Sequence, residues 1–311
     1  LYSPGRILMK KPKLGRTPDF IIIGAMKSAT STLHKQLSAQ PGIFMSTPKE
    51  PNFFSDDPIY KGGLDWYKGL FREAEADDIC GESSTHYTKL PDYPETIQRL
   101  KSAIANPRLI YVMRHPVDRL ISHYMHQWSE GVITCDIDKA VDRYPELIDY
   151  SCYGKQINPF IDTFGVKAVL PVFFVDLKSS PQRSLEMIGR FIGVTNPASL
   201  YWNRESGRDN VSQNRIRRFY GSQFIINSKP MIWIRRAFVP QGIRNRIRGY
   251  FTMGHRPRLS ESQLAKVTEV FDQDLKLLRD WFGFEVSCQN FNEKAFLIES
   301  GNEVSHPPRW E

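Results

Sequence analysis

No run of 18 consecutive apolar residues occurs in this 311-residue chain, so no segment reads as a membrane-spanning helix. Cysteine is scarce. The four at positions 80, 135, 152 and 288 form no C-x-x-C pair and have no metal-ligand spacing. That excludes a zinc-ribbon or disulfide-framework protein, and reduced thiols are the expectation. Cys80 reads as a buried thiol in a strand, and a Cys135–Cys152 disulfide is the alternative. There is no internal repeat, which excludes a solenoid. The chain begins at Leu1 rather than Met, which leaves room for an upstream anchor or signal. Acidic residues nearly vanish between Tyr201 and Arg258. Only Glu205 and Asp209 face 13 Arg/Lys there, a local balance of +11 that leaves −3 for the rest of a chain whose total is +8. That stretch also carries Tyr201, Trp202, Phe219, Tyr220, Phe224, Trp233, Tyr250 and Phe251. It reads either as a surface for an anionic ligand, glycan, nucleic acid or membrane, or as a solvated arginine-rich helical face.

What is present suits a globular protein with a substantial core: 41% hydrophobic and 12% aromatic residues. Residues 1–18 are basic, hold three prolines and read as an arm; 19–311 reads as one domain, with 201–258 a basic helical insertion or cap. The apolar runs Phe20–Ile23, Ile79–Glu82, Leu109–Met113 and Ala168–Val175 predict strands. Helical spacing predicts helices over Thr30–Ser38, Pro94–Ile104, from Pro116 to about Trp128, and over Pro181–Ile192. A long helix near the C-terminus starts at Ser260 with Gln263 three residues on, and its stripe is Leu264, Val267, Phe271, Leu275 and Leu278. Pro41 to Gly63 reads as a loop. Strands alternating with helices predict an α/β fold with a central parallel sheet flanked by helices.

The first strand runs into "GAMKSATSTLHKQL", residues 24–37. A strand, a small-residue loop carrying a lysine, and then a helix is the layout of a phosphate-binding turn. No Gly-Lys-Ser/Thr closes it, and Lys27 comes early. Lys27, Ser28, Ala29, Thr30, Ser31 and Thr32 supply a cation, hydroxyls and helix N-terminal amides for one phosphate. The strand "RLIYVM" also lacks the closing aspartate with which a magnesium-nucleotide enzyme holds its metal. Arg114 follows it instead, with Ser122 two turns into the next helix, and arginine binds an anion directly. Two anion sites without a metal aspartate point to a nucleotide phosphorylated at two separate places.

This combination resembles the sulfotransferases that use 3′-phosphoadenosine 5′-phosphosulfate (PAPS) as donor and release PAP. The resemblance implies a P-loop-like sulfotransferase fold that needs no metal. "GAMKSATSTL" is similar to their 5′-phosphosulfate motif, with Lys27 on the oxygen bridging phosphate and sulfate. "RHPVDRLISHY" (114–124) is similar to their 3′-phosphate motif, implying Arg114 and Ser122 as contacts. "KEPNFF" (49–54), "GGLDWY" (62–67), "GESSTHY" (81–87) and "GHRPRLS" (254–260) resemble the carbohydrate-type, heparan-modifying branch. They imply Glu50 as the acceptor base and Arg256 as a further 3′-phosphate contact. "RDNVSQN" (208–214) resembles an element of bacterial sulfotransferases. Ala29 stands where glycine is usual, and Ser83 where the heparan-type enzymes commonly carry lysine.

Sulfuryl transfer needs in-line placement, charge stabilisation on the leaving phosphate and a base for the acceptor hydroxyl. Lys27 supplies the stabilisation, and Glu50 is the first choice of base. His86 is the rival, since the simple-alcohol and phenol branch uses a histidine from a nearby strand. A carboxylate base puts the acidic limb of the pH profile near its own pKa, and an ordinary imidazole puts it near about 6–7. His115, His123 and His126 carry no metal spacing. The acceptor reads as a hydroxyl, with an amine as the lesser alternative, on a saccharide, a small molecule or a carrier-bound chain that is anionic in one variant. No nucleic-acid partner is expected. A cytoplasmic, bacterial-type enzyme is favoured over a Golgi-lumenal one that has lost its anchor. The competing readings are a P-loop kinase or nucleotide hydrolase, and a non-enzymatic polyanion-binding module.

Overall fold

The computed structural model describes residues 15–203, 215–216, 252–253 and 255–293. The predicted basic cap at 201–258 lies almost wholly outside these residues, as do positions 1–14 of the arm. Five parallel strands form the sheet: β1 (Phe20–Gly24), β2 (Ile43–Met45), β3 (Ile79–Ser83), β4 (Arg108–Met113) and β5 (Val169–Phe173), in the order β2-β3-β1-β4-β5. The helices are α1 (Thr30–Ser38), α2 (Asp57–Tyr60), α3 (Leu64–Gly69), α4 (Thr96–Ala103), α5 (Pro116–Ser129), α6 (Ile137–Arg143), α7 (Glu146–Asp149), α8 (Tyr153–Phe164), α9 (Phe174–Ser179), α10 (Pro181–Ile192) and α11 (Glu261–Phe282). A two-residue antiparallel pair, β6 (Arg215–Ile216) with β7 (Thr252–Met253), stands apart from the sheet.

Successive side chains of a strand point to opposite faces, and both faces of this sheet are covered. Ile21 and Ile23 of β1 and Leu109, Tyr111 and Met113 of β4 enter one core, with Leu100, Leu120, Ile157 and Phe271 from α4, α5, α8 and α11. Phe20, Ile22, Ile110 and Val112 enter the other, with Leu33 and Leu37 of α1 and Leu185, Ile188 and Ile192 of α10. The strands therefore read as unbroken apolar runs, and the helices as amphipathic ones.

Local signals set several ends. Pro116 opens α5, Ser260 caps α11 by accepting from the Gln263 N–H at 3.4 Å, and Gly193 and Gly283 close α10 and α11 in the left-handed region. Four expectations need correction. The Ala168–Val175 run is a strand only to Phe173, because Phe174 starts α9. Leu264 is exposed, so the buried stripe of α11 begins at Val267. The Pro94–Ile104 helix spans Thr96–Ala103, and Ile97 is only half-buried. The Pro41–Gly63 loop contains β2 and α2, both too short to show a period. The four cysteines are free thiols, so Cys135 and Cys152 are not paired.

Polar ties lock the helices that flank the crevice. Arg119 of α5 is fully buried and donates from Nε to the Ser151 hydroxyl at 2.6 Å and from Nη2 to the Leu147 carbonyl at 3.0 Å. Asp274 of α11 accepts the N–H groups of Gly154 and Lys155, each at 2.7 Å, at the start of α8. There α8 and α11 cross so closely that a Cβ on Gly154 would lie 2.7 Å from the backbone oxygen of Asp274.

The strand order reverses at β1, since β1 leads by way of α1 to the β2 edge whereas β4 leads to the β5 edge. The two loops diverge and open a crevice at the carboxyl ends of β1 and β4, where open α/β sheets bind ligands. Gly154→Ala should lower stability by about 1–3 kcal/mol despite alanine's better helix propensity, because the obstructing atom is backbone and cannot swing aside. A urea-unfolding midpoint equal to or above that of the wild type would contradict this packing.

Candidate active site

After Gly24 the Ala25 N–H donates to the Val112 carbonyl at 2.9 Å, which ties the loop to β4. Lys27 (φ 71°) and Ala29 (φ 67°) both adopt the left-handed conformation. The chain thereby doubles back and enters α1 with its N-terminus open to the crevice. The first helical bond at this end runs from the Leu33 N–H to the Ala29 carbonyl at 3.1 Å. The amides of Thr30, Ser31 and Thr32 come before it and have no intrahelical acceptor. The helix dipole adds partial positive charge at the same point. Ser28 and Thr30 are buried, and Ser31 and Thr32 half-buried. Ala29 explains why glycine is the ordinary choice here, because its β-carbon sits at a backbone angle that disfavours one.

Arg114 leaves the end of β4 into the same crevice. Its guanidinium Nη1 lies 3.5 Å from the Lys27 carbonyl, and its Cζ stands 5.3 Å from the centre of the Phe174 ring. Tyr153 fixes its backbone from both sides. The Arg114 N–H donates to the Tyr153 oxygen at 3.2 Å, and the Tyr153 hydroxyl donates to the Arg114 carbonyl at 2.5 Å. The Nε atom is buried without a hydrogen-bond partner. Burial lowers the arginine's pKa, and nearby Arg256 pushes the same way against Asp118. Arg256 itself is ion-paired to Asp118 on the first turn of α5. The phosphate loop, Arg114 and Arg256 therefore meet in one place. Ser122 is half-buried on α5 and has no hydrogen bond to any of them among the described residues.

Glu50 is mounted on the opposite wall. Its N–H donates to the Ser83 carbonyl at 2.9 Å, and the Asn52 N–H donates to the Ser84 hydroxyl at 3.0 Å. Glu50 (φ 59°) and Asn52 (φ 52°) are both left-handed, so this segment holds backbone strain of the kind found at functional sites. Lys49 Nζ is ion-paired to Glu50 Oε1, which also accepts from the Thr85 hydroxyl at 3.4 Å. Burial alone would raise the carboxyl's pKa. The Lys49 charge and hydrogen bond, then His86 and Lys89, outweigh it and hold Glu50 below the usual range.

His86 stacks on Tyr93 at 4.9 Å, and its Nδ1 is buried without a partner. Burial and the Lys89 charge push it down to about 4, against Glu50 and Asp56. At neutral pH both rival bases are therefore unprotonated. The expected limb near 6–7 for imidazole does not hold here, so the position of the acidic limb does not separate the two.

Three residues not singled out by sequence reasoning join this wall. Lys89 follows the turn that carries His86, and burial pushes it down to about 8 while Glu50 opposes. His34 on α1 shares a 3.0 Å hydrogen bond between Nδ1 and the Ser83 hydroxyl, and burial, then Lys49, push it to about 4. Lys49 is the third, and its signal was only its place beside Glu50. Of the other histidines, His115 Nε2 meets the Cys288 carbonyl at 2.8 Å and His123 stacks on Tyr150 at 5.4 Å. Among the described residues no group of three or more His, Cys, Asp or Glu side chains is gathered to hold a metal ion.

A family model described as the sulfotransferase domain matches residues 17–279. The human bifunctional heparan sulfate N-deacetylase/N-sulfotransferase 2 is 26% identical over 211 residues, which is 61% of this chain and 23% of that protein. The chain thus spans about a quarter of that relative's length. Human heparan sulfate glucosamine 3-O-sulfotransferase 5 is 25% identical over 225 residues, covering 67% of this chain and 60% of that one. A solved sulfotransferase from Alicyclobacillus acidocaldarius superposes with a TM-score of 0.52 at 26% identity, over 61% of this chain and 88% of that chain.

The left-handed angle at Ala29 makes a direct prediction. Ala29→Gly should leave stability within about 1 kcal/mol, because relief of the Cβ strain offsets glycine's extra chain entropy. Ala29→Val should lose more than about 1 kcal/mol, as a β-branched residue is least tolerant of this conformation. Equal unfolding midpoints for the two variants would show that the loop is not held at this angle in solution.

Proposed function

The chain belongs to the sulfotransferase domain family, and from that premise we propose that it transfers a sulfuryl group from PAPS to a hydroxyl-bearing acceptor. The observation that carries this reading is the meeting of Arg114 with the phosphate loop across the crevice. Arg114 follows β4 directly, in the place where a magnesium-nucleotide enzyme would put a metal-binding aspartate. Its buried, unpartnered Nε calls for an anion, so these residues fit a nucleotide with a second phosphate.

In this reading Lys27, Ser28, Ala29, Thr30, Ser31 and Thr32 hold the 5′ end through the ammonium, the hydroxyls and the amides of the α1 N-terminus. Arg114 holds the 3′-phosphate, supported by Ser122 and Arg256. The donor contributes an activated sulfuryl group. Lys27 stabilises charge on the departing phosphate, worth about 3–4 kcal/mol for one well-placed donor. Glu50 takes the acceptor's proton, since its backbone is anchored to β3 while Oε1 faces Lys49 and Thr85. His86 orders the acceptor. The acceptor belongs to the class of saccharides and small or carrier-bound alcohols.

Arg114→Ala should weaken PAP binding by about tenfold or more, and weaken an analogue lacking the 3′-phosphate far less. Calorimetry would decide, and equal losses for both ligands would count against the assignment. PAP binding should be unchanged by a chelator.

Glu50→Gln should lower kcat by about 10²–10⁴ with PAP affinity intact, whereas His86→Asn should act mainly through acceptor KM. If instead His86→Asn abolishes turnover with PAP still bound, and Glu50→Gln retains it, the base is His86.

A further inference from the structure

The pairing of Lys49 with Glu50 conflicts with the work assigned to the carboxylate. A general base is most effective when its pKa lies near the working pH. An ammonium in contact with Oε1 holds Glu50 away from that range, and the Lys89 charge adds to the effect. The titratable groups that face it are Lys49 on its own segment, His86 and Lys89 from the turn after β3, and His34 from α1. Among the described residues Lys49 is the one ion-pair partner of Glu50.

The two partners are held very differently. Glu50 is fixed through its backbone by the Ser83 carbonyl at 2.9 Å, and the strained stretch through Asn52 is bound to the Ser84 hydroxyl at 3.0 Å. Lys49 has a four-carbon stem with free rotors, and the carboxylate is its one ion-pair partner among the described residues. The pair also stands close to the donor loop. Ser83, which holds the Glu50 N–H through its carbonyl, holds His34 through its hydroxyl at 3.0 Å, and His34 lies on the helix that the phosphate loop opens.

We propose that Lys49 is a donor-sensing residue: it pairs with Glu50 until PAPS binds and then transfers to the sulfuryl oxygens, which frees Glu50 as the base. The proposal rests on the sulfotransferase reading above and deepens it. A sulfuryl group carries anionic oxygens that PAP lacks at that position, so it competes with the carboxylate for the same ammonium. In the transfer the acceptor oxygen forms a bond to sulfur as the sulfur–oxygen bond to PAP breaks. The hydroxyl proton passes to Glu50, and Lys49 stays protonated throughout. Base activation is thereby tied to the loaded donor, and the product complex with PAP returns Lys49 to Glu50.

The test is calorimetric and needs no turnover. PAP and PAPS are titrated, without acceptor, into the wild type, Lys49→Met and Lys49→Arg. Lys49→Met should leave PAP affinity within about twofold and weaken PAPS by about tenfold or more, the loss of one charge-assisted contact. Lys49→Arg, which keeps the charge, should restore most of the preference for PAPS. A purely structural lysine would change both ligands alike or neither, and either result overturns the proposal while leaving the sulfotransferase reading intact. Failure of the wild type to bind PAP would instead overturn the reading itself.

Discussion

The parallel pairing of β1 with β4, from Phe20 beside Arg108 to Gly24 beside Tyr111, is the constraint on which the site depends. It sets the ends of the two strands side by side while the chain beyond them leaves in opposite directions. Ala25 reaches across to the Val112 carbonyl, so the phosphate loop is fastened to the strand that delivers Arg114. The two elements proposed to bind anions, the Lys27 loop and Arg114, lie 87 residues apart in the chain, and the sheet makes them neighbours. Tyr153 of α8 then clamps the Arg114 backbone, and α8 is in turn held by Asp274 of α11. Arg114 is thus held through the core that α8 and α11 share.

The opposite wall follows another logic. The segment from Lys49 to Asn52 is attached to the end of β3 by main-chain hydrogen bonds and accepts two left-handed residues to do so. That strain is offset by the deep burial of the residues on either side, since Met45, Phe53 and Phe54 are almost fully enclosed. Glu50 stays within a group of Lys49, Lys89, His86 and His34. With the two histidines neutral at neutral pH, the two lysines keep the carboxylate ionised more readily than they make it basic. For the proposed role of Glu50 as base, the charge around the carboxylate is what has to be controlled.

Charge also acts on the donor side. Arg114 is largely desolvated, and the nearby Arg256 adds repulsion that Asp118 offsets. The two guanidinium groups repel each other, and a bound phosphate would offset that repulsion. Family membership and this electrostatic arrangement are independent grounds for expecting a doubly phosphorylated nucleotide, since one comes from likeness along the chain and the other from Coulomb's law.

Much of this was legible along the chain because it is local. The apolar run before "GAMKSATSTL" fixed a strand and its turn, Pro116 and Ser260 marked helix starts, and the helices over Thr30–Ser38 and Pro181–Ile192 are bounded as their patterns predict. Where the pattern was short or ambiguous, reading failed: β2 has three residues, and Phe174 and Val175 continue an apolar run as the start of a helix. Lys27, Arg114 and Glu50 were singled out as candidates from the motifs that hold them. The ion pair of Lys49 with Glu50, the approach of Lys89, the His34–Ser83 hydrogen bond and the depressed pKa of His86 were not. Each depends on side-chain placement or on burial and charge from other segments. Sequence determines which groups are available and which local turns form, because those are set by neighbours within a few bonds. Only the tertiary structure decides which groups face one another and how far from water, and that decides their protonation.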